Sequence, residues 1–335
     1  MIARFSTVWQ TAAWQTELAS AIRTPEELVR LLDLPEKFVE VARAASTGFA
    51  LRAPQAYLQR IRRGDPNDPL LLQILPVLAE LIETPGFRRD PVGDGPAAKA
   101  PGVLQKYHGR VLLVTTGACA IHCRYCFRRH FPYSEANAAS DDWKEAVAFV
   151  ESDPTIKEVI LSGGDPLSLA DHKLARLAEK LAAIPHVKYL RIHTRLPVVL
   201  PQRVDEALLR WLSATRLKTT VVIHSNHANE IDNDVRDALQ KLKQAGVELL
   251  NQSVLLRGVN DDVDALAALS EALFDAGVLP YYLHLLDAVQ GAAHFNVEEP
   301  AARALVEHLR RRLPGFLVPR LVREIEGEAH KTPIG

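Results

Sequence analysis

From about residue 110 the chain alternates between two kinds of segment, and this alternation restricts the possible folds more than any other feature. Short β-rich runs stand at 110–115, 157–161, 188–193, 218–223, 247–255 and 279–285, with helical stretches between them, for example 171–183, 232–245 and 262–276. From the second run onward the repeat is about 30 residues, the length of one βαβ unit. Six such units predict an α/β fold, a partial (β/α)6-type barrel with parallel strands and right-handed crossovers. In such barrels the chemistry collects on the loops that follow the strand C-termini. Polar residues fall there. Three cysteines follow the first strand, and Ser162-Gly163-Gly164-Asp165 follows the second. His193 and Arg195 end the third, His224 ends the fourth, Asn251 and Gln252 lie in the fifth, and Asp287 follows the sixth. Together they read as one site at one face, although any single one reads equally well as an ordinary loop polar.

The first hundred residues read as helical. Thr24-Pro25-Glu26-Glu27 has the form of a helix start, with Thr24 as cap, Pro25 in the first turn and Glu27 completing a capping box. Leu28, Leu31 and Leu32 follow at helical spacing. A break falls at 65–69, and a Gly/Pro/Ala-rich stretch at 91–102 reads as a linker. The expected organisation is therefore an N-terminal helical region and linker over 1–100, then a barrel with a C-terminal segment over 101–335. A chain of 335 residues that is 47% hydrophobic and 24% charged has the material for a real core. Its formal net charge of −1 gives no electrostatic case for a nucleic-acid or membrane partner. No apolar run reaches the ~18 residues of a membrane span. The first fifteen residues lack the apolar core and cleavage site of a secretory signal. A cytoplasmic enzyme is the expectation.

All three cysteines lie within eight residues, Cys119-Ala120-Ile121-His122-Cys123-Arg124-Tyr125-Cys126. An odd, clustered set is no disulfide framework; it points to a metal or catalytic site. A structural zinc site with His122 or His130 as fourth ligand is one reading, but such sites usually join two short ligand pairs across a longer gap, and no second pair exists in the sequence. The other is a [4Fe–4S] cluster held by three thiolates, with its fourth iron open to a small molecule. The C-x3-C-x2-C spacing, with Tyr125 before the last cysteine, resembles the radical S-adenosylmethionine (SAM) superfamily. In that superfamily the open iron chelates the amino and carboxylate groups of SAM. An external electron donor then drives its cleavage to a 5′-deoxyadenosyl radical. Gly163, Gly164 and Asp165 match a turn that holds the SAM amino group there. Glycines permit close backbone approach, though Gly-Gly-Asp-Pro is also a common turn.

Longer strings narrow the resemblance to the lysine 2,3-aminomutase family: KYHGRVLLVTTGACAIHCRYCFRRHFPY, LSGGDPLSL, RIHTRLPVVLPQR, IHSNHANEI, LLNQSVLLRGVND, PYYLHLLDAVQGAAHF and the C-terminal HKTP. The resemblance implies an isomerase that moves the amino group of L-lysine and uses pyridoxal 5′-phosphate (PLP) beside the cluster. Moving that group requires removal of an unactivated hydrogen, which a radical does, and a π-system for the nitrogen, which PLP offers. Lys331 occupies the place of the family's PLP lysine, ahead of Thr332-Pro333. Its lead-in Gly327-Glu328-Ala329-His330 departs from the family's glycine-rich run. Arg110 and Lys106 match basic positions for the PLP phosphate, and His224 and Gln252 match positions in the SAM and PLP pockets. Arg128 matches the arginine for the substrate carboxylate, a task suited to a planar two-donor fork. Asp287 matches the aspartate that holds the ε-ammonium. The second family anion is here Glu324, one methylene longer. Without the resemblance, Lys331 and Lys106 read as surface lysines, His224 and Gln252 as core polars, and Arg128 as part of a solvated basic loop.

The string RAPQAYLQRIRRGDPNDPLLLQILP, the Pro85–Phe87 segment and the early end after Lys331 resemble the branch of the family that prepares β-lysine for elongation factor P. There a separate ligase attaches the β-lysine to a lysine of the factor, and the implied product is (R)-β-lysine. Two other functions stay open at this point. One is a free-standing metabolic aminomutase making (S)-β-lysine. The other is a non-catalytic radical SAM-fold partner in translation, for which an intact three-cysteine loop has no use.

Overall fold

A computed structural model describes residues 13–134, 138 and 142–335. The first twelve residues, part of the segment read above as lacking a secretory signal, lie outside the described residues. No helix among the described residues is long and apolar enough to cross a membrane.

Among the described residues, ten strands form one sheet in sequential order. They are β1 (Ala98–Ala100), β2 (Val103–Leu104), β3 (Arg110–Thr116), β4 (Glu158–Gly163), β5 (Tyr189–Thr194), β6 (Lys218–His224), β7 (Glu248–Val254), β8 (Leu279–His284), β9 (Arg320–Arg323) and β10 (Thr332–Pro333). β3 to β9 run parallel. β1–β2 and β10 add antiparallel edges at opposite ends. The sheet is open, so the barrel is partial.

All six expected strands are present within a residue or two. A seventh parallel strand, β9, is too short and too close to Pro319 to stand out in the sequence. β10 contains Pro333, which sequence patterns read as a strand breaker and which an edge tolerates. The stretch read as a linker contains β1. Its Pro101-Gly102 pair makes the hairpin turn, with Gly102 at φ 69°, and a tight turn has the same Gly/Pro signal as a linker.

The crossover helices follow from capping and periodicity. Asp232 accepts a hydrogen bond from the Val235 amide at 2.9 Å and opens the helix Asn233–Gln244. That helix buries Val235, Ala238, Leu239 and Leu242, one stripe at 3.6-residue spacing. Asp262 and Asp205 cap the helices Val263–Asp275 and Glu206–Ala214 in the same way. The helix Asp171–Ala183 matches its expected bounds and buries Leu174, Leu177, Ala178 and Leu181. At the N-terminus, Thr24 does occupy the cap position of Pro25–Leu31, but its side chain makes no capping bond. The proline ring already fixes that turn.

Alternation along the strands separates two environments. Val159, Leu161, Leu190, Ile192, Val221, Ile223 and Leu249 pack outward with the helices into one core. The intervening positions, among them Ser162, Arg191, His193, His224, Gln252, Tyr282 and His284, face the barrel interior. Polar side chains thus share the inside with Val114, Ile160 and Val222, and the main apolar layer lies between sheet and helices.

Candidate active site

The cysteine loop leaves the C-terminal end of β3 and is held on two sides. On the barrel side, the Gly164 amide donates to Thr116 O at 2.7 Å and the Asp165 amide to Ala118 O at 2.8 Å. Gly163 has φ 119°, and a Cβ there would stand 2.7 Å from Thr116 O. A Cβ on Gly164 would stand 2.4 Å from Ala118 O. These glycines are therefore required where the β4 turn meets the root of the cysteine loop. The Asp165 carboxylate is used locally as well. Oδ1 accepts from Thr194 Oγ1 at 2.6 Å and Leu167 N at 3.0 Å, and Oδ2 from Arg195 N at 2.7 Å and Leu196 N at 3.1 Å. It joins the ends of β4 and β5 beneath the loop.

On the other side the N-terminal region grips the loop. The His122 amide donates to Arg52 O at 2.9 Å, and the Arg124 amide to Gln73 O at 2.9 Å. The fully buried Arg124 donates to both oxygens of Glu80, at 2.8 and 2.5 Å, and Arg129 donates to the same carboxylate at 2.7 Å. His122 also meets Ala50 O through Nδ1 at 2.8 Å.

Cys119, Cys123 and Cys126 are unpaired and partly accessible. Burial pushes the Cys119 thiol up, with Cys126 and Asp165 adding to it. Burial and then Cys123 push Cys126 up to about 11. The raised affinity of the Cys119 and Cys126 sulfurs for a proton suits a cationic metal centre, which favours the thiolate. Among the described residues, no three His, Cys, Asp or Glu side chains converge on one ion position. The thiolates of a cubane cluster each take a different iron and so stand further apart.

Beneath Cys123 lies a buried polar network. Arg195 donates to Cys123 Sγ at 2.8 Å, Gln73 Oε1 at 2.7 Å and Glu230 Oε2 at 2.8 Å. Tyr125 OH meets His224 Nε2 at 2.9 Å, and their rings stack at 5.6 Å. Burial, then the Arg195 charge, lowers His224 to about 3, so it is neutral at physiological pH. His224 thus lies directly against the cysteine loop. Its neighbour across the ladder is Gln252, which faces the interior. Asn251 does not. It bonds Ser225 and Ser253 on the outer side of β7, next to the helix Val263–Asp275. It belongs to the fold, and the one-face reading fails for it because adjacent strand residues point to opposite faces.

Further along the interior the charged residues form a line. Arg128 Nε donates to Asp94 Oδ2 at 2.7 Å, and its Nη1 to Ser162 Oγ at 3.0 Å. Asp94 Oδ1 lies 2.8 Å from Lys106 Nζ, and Lys106 lies 3.7 Å from Glu324 Oε1. Glu324 accepts from Tyr107 OH at 2.6 Å and from Lys331 Nζ at 2.5 Å. Lys106 also donates to Val92 O at 2.7 Å, so its ammonium is committed within the protein. Arg110 stands apart. It opens β3 at the end remote from the cysteines, 3.8 Å from Glu158 and over the Tyr107 ring. Asp287 is partly accessible yet deep among protein atoms. Burial pushes it up to about 7, with Lys331 opposing and Glu324 adding.

Several buried polar atoms here have no partner among the described residues: His193 Nε2, His284 Nε2, Arg191 Nε and Thr332 Oγ1. Burial lowers both histidines, and the Lys331 charge lowers them further. An orphaned buried donor or acceptor costs ~1–3 kcal/mol. This group around Lys331 fits an anionic, hydrogen-bonding guest such as PLP. Sequence reasoning gave no role to Asp94, Tyr107, Gln73 or Glu230. They are single polar residues without a spacing pattern, and only the fold brings Gln73 to Glu230 and places Asp94 and Tyr107 in the line of Lys106 and Glu324.

A family model for the radical SAM superfamily matches residues 113–269. The L-lysine 2,3-aminomutase of Escherichia coli is 50% identical over 322 residues, 96% of this chain and 94% of that protein. The L-lysine 2,3-aminomutase of Haemophilus influenzae is 48% identical over 95% of this chain and 94% of its own length. That of Clostridium subterminale is 35% identical, over 96% of this chain and 77% of its length.

Proposed function

The chain belongs to the L-lysine 2,3-aminomutase family of the radical SAM superfamily, a family of isomerases, and from that premise we propose that it converts L-α-lysine to (R)-β-lysine for modification of elongation factor P. Membership brings a [4Fe–4S] cluster, SAM and a reductant. The proposed cluster ligands are Cys119, Cys123 and Cys126, with the turn of Gly163, Gly164 and Asp165 and the residue His224 shaping the SAM side of the loop. PLP is the proposed second cofactor, with Lys331 as its attachment point and Gln252, Lys106 and Arg110 as its other expected neighbours. Of the phosphate candidates, Arg110 keeps the more accessible cation, since the Lys106 ammonium is held by Asp94, Val92 and Glu324. When bound, the cluster with SAM supplies hydrogen abstraction from an unactivated carbon, and PLP supplies electron delocalisation for the migrating nitrogen.

The chain's own residues hold the substrate in this reading. Arg128 binds the α-carboxylate. Asp287 and Glu324 receive the ε-ammonium at the other end of the line. The observation that carries the proposal is this opposition of a buried arginine to two carboxylates within one interior, which suits an amino acid with a cationic side chain. The neutral interior histidines, His193, His224 and His284, add no competing positive charge.

Anaerobic incubation with L-lysine, SAM, PLP and a reductant is expected to give β-lysine of R configuration by chiral analysis. Exclusive S product would move the chain to the metabolic aminomutases. Borohydride reduction followed by peptide mapping should place the pyridoxyl group on Lys331. A label on another lysine removes Lys331 from the role. Deleting the gene in its host should remove the lysyl-type mass addition from elongation factor P. In its cell the enzyme is expected to work in the cytoplasm, where the factor and its ligase act.

A further inference from the structure

We propose that Asp94 is a positioning residue that selects which edge of Arg128 meets the substrate carboxylate, an inference that rests on the assignment of Arg128 above. A guanidinium offers two edges for a bidentate carboxylate: Nε with one terminal nitrogen, or the two terminal nitrogens together. Asp94 occupies the first edge, taking the Nε hydrogen at 2.7 Å. Ser162 Oγ accepts from Nη1 at 3.0 Å on the far side. Because Nη1 carries two hydrogens, the end-on edge of Nη1 and Nη2 remains for a ligand. An arginine without Asp94 could turn about its last torsions and present either edge.

Asp94 is suited to this task because it is itself fixed. Its side chain is 3% exposed, and its second oxygen meets Lys106 at 2.8 Å. Its backbone amide donates to Asp90 Oδ1 at 3.0 Å. Burial works to raise its pKa, but Arg128 and Lys106 override this and hold it at about 2. Asp94 is therefore anionic across the working pH range. The carboxylate also keeps the buried Arg128 from standing unpaired beside the Lys106 ammonium, which would repel it. Through Lys106 the same residue ties the carboxylate end of the site to Glu324 at the ammonium end.

The test compares two ligands on cluster- and PLP-loaded enzyme with SAM present and reductant omitted, so that binding is read without turnover. L-Lysine has the carboxylate, and L-lysinamide lacks its charge. Asp94→Asn is expected to weaken lysine binding about tenfold, a typical coupling between neighbours, and to leave lysinamide nearly unchanged. Asp94→Glu, which keeps the charge, should retain the preference for lysine. If Asp94→Asn does not take up its cluster, Asp94→Ser is used and the same ratio is read. Equal weakening of both ligands means that Asp94 only supports the fold, and unchanged or tighter lysine binding overturns the proposal directly. Wild-type enzyme that binds the two ligands equally would instead remove Arg128 from carboxylate recognition, and the role of Asp94 with it.

Discussion

Asp287 is an interior carboxyl whose charge is poised near neutral pH. Burial pushes its carboxyl up to about 7, and Glu324 and Asp94 add to the shift against Lys331 and Lys106. The folded state therefore holds a proton there that the unfolded chain, with an ordinary value of 3.8, releases. The linkage has a definite sign: this group's contribution to stability is fully present below about 4 and is lost as the pH rises to about 7. Function runs the other way, because only the anion attracts an ammonium. The KM for lysine should fall as the pH rises from about 6 to about 8. Asp287→Asn should raise KM about tenfold or more and flatten that dependence, measured as KM and kcat across the range. A wild-type KM independent of pH would place the ε-ammonium elsewhere. Glu324 behaves differently. Burial again raises it, but Lys331, Tyr107 and Lys106 together bring it below its ordinary value, so it stays charged. The two anions of the proposed ammonium site are thus unequal, one permanent and one titrating, and nothing in the residue types foretold that difference.

At the scale of elements, periodicity revealed the parallel strands and the crossover helices, because each must bury an apolar face against the other. The helix Asp171–Ala183 and the six long strands were legible for that reason. The hairpin of β1 and β2, and the edge strand β10 that follows Lys331, were not. Two- or three-residue edges rich in Gly and Pro have no room for a period. The candidate site followed the same division. The cysteine loop and the Gly163–Asp165 turn were legible from spacing at strand ends, whereas Asp94 lay hidden in what read as a linker. The β4 turn carries a sharp test. A methyl group on Gly164 would lie 2.4 Å from Ala118 O, and a backbone carbonyl that begins the cysteine loop cannot step aside cheaply. Gly164→Ala should cost ~1–3 kcal/mol and lower the iron content after anaerobic reconstitution. Gly315→Ala, where nothing stands within 4 Å, is the matched control. Full iron loading of Gly164→Ala would show that the loop tolerates a shift at its root.

For the whole molecule, the N-terminal helices and the barrel share one buried ionic centre. Glu80 lies between Arg124 and Arg129, with contacts of 2.5 and 2.7 Å to the same oxygen, and both arginines flank Cys126. Both also stack on Phe49, at 4.9 and 4.8 Å. Removing one member of a buried ion pair costs ~3–5 kcal/mol, because the remaining charges are left without a partner. Glu80→Ala should therefore lower the thermal midpoint and accelerate iron loss to a chelator. Equal rates of iron release in variant and wild type would confine Glu80 to the fold of the N-terminal region.

The sheet that runs from β1 to β10 never closes on itself by a continuous ladder. Outside the strands, the Arg88–Val289 bridge joins the segment before β1 to the segment after β8. Side chains do the rest: Lys106 and Tyr107 reach Glu324, and Arg88 reaches Glu326 at 3.6 Å. The wall is thus continuous around most of its circumference and fastened along one seam by ionic and hydroxyl contacts. Lys106, Glu324 and Lys331 lie along that seam, so charged side chains rather than a backbone ladder join the wall where the proposed cofactor lysine stands.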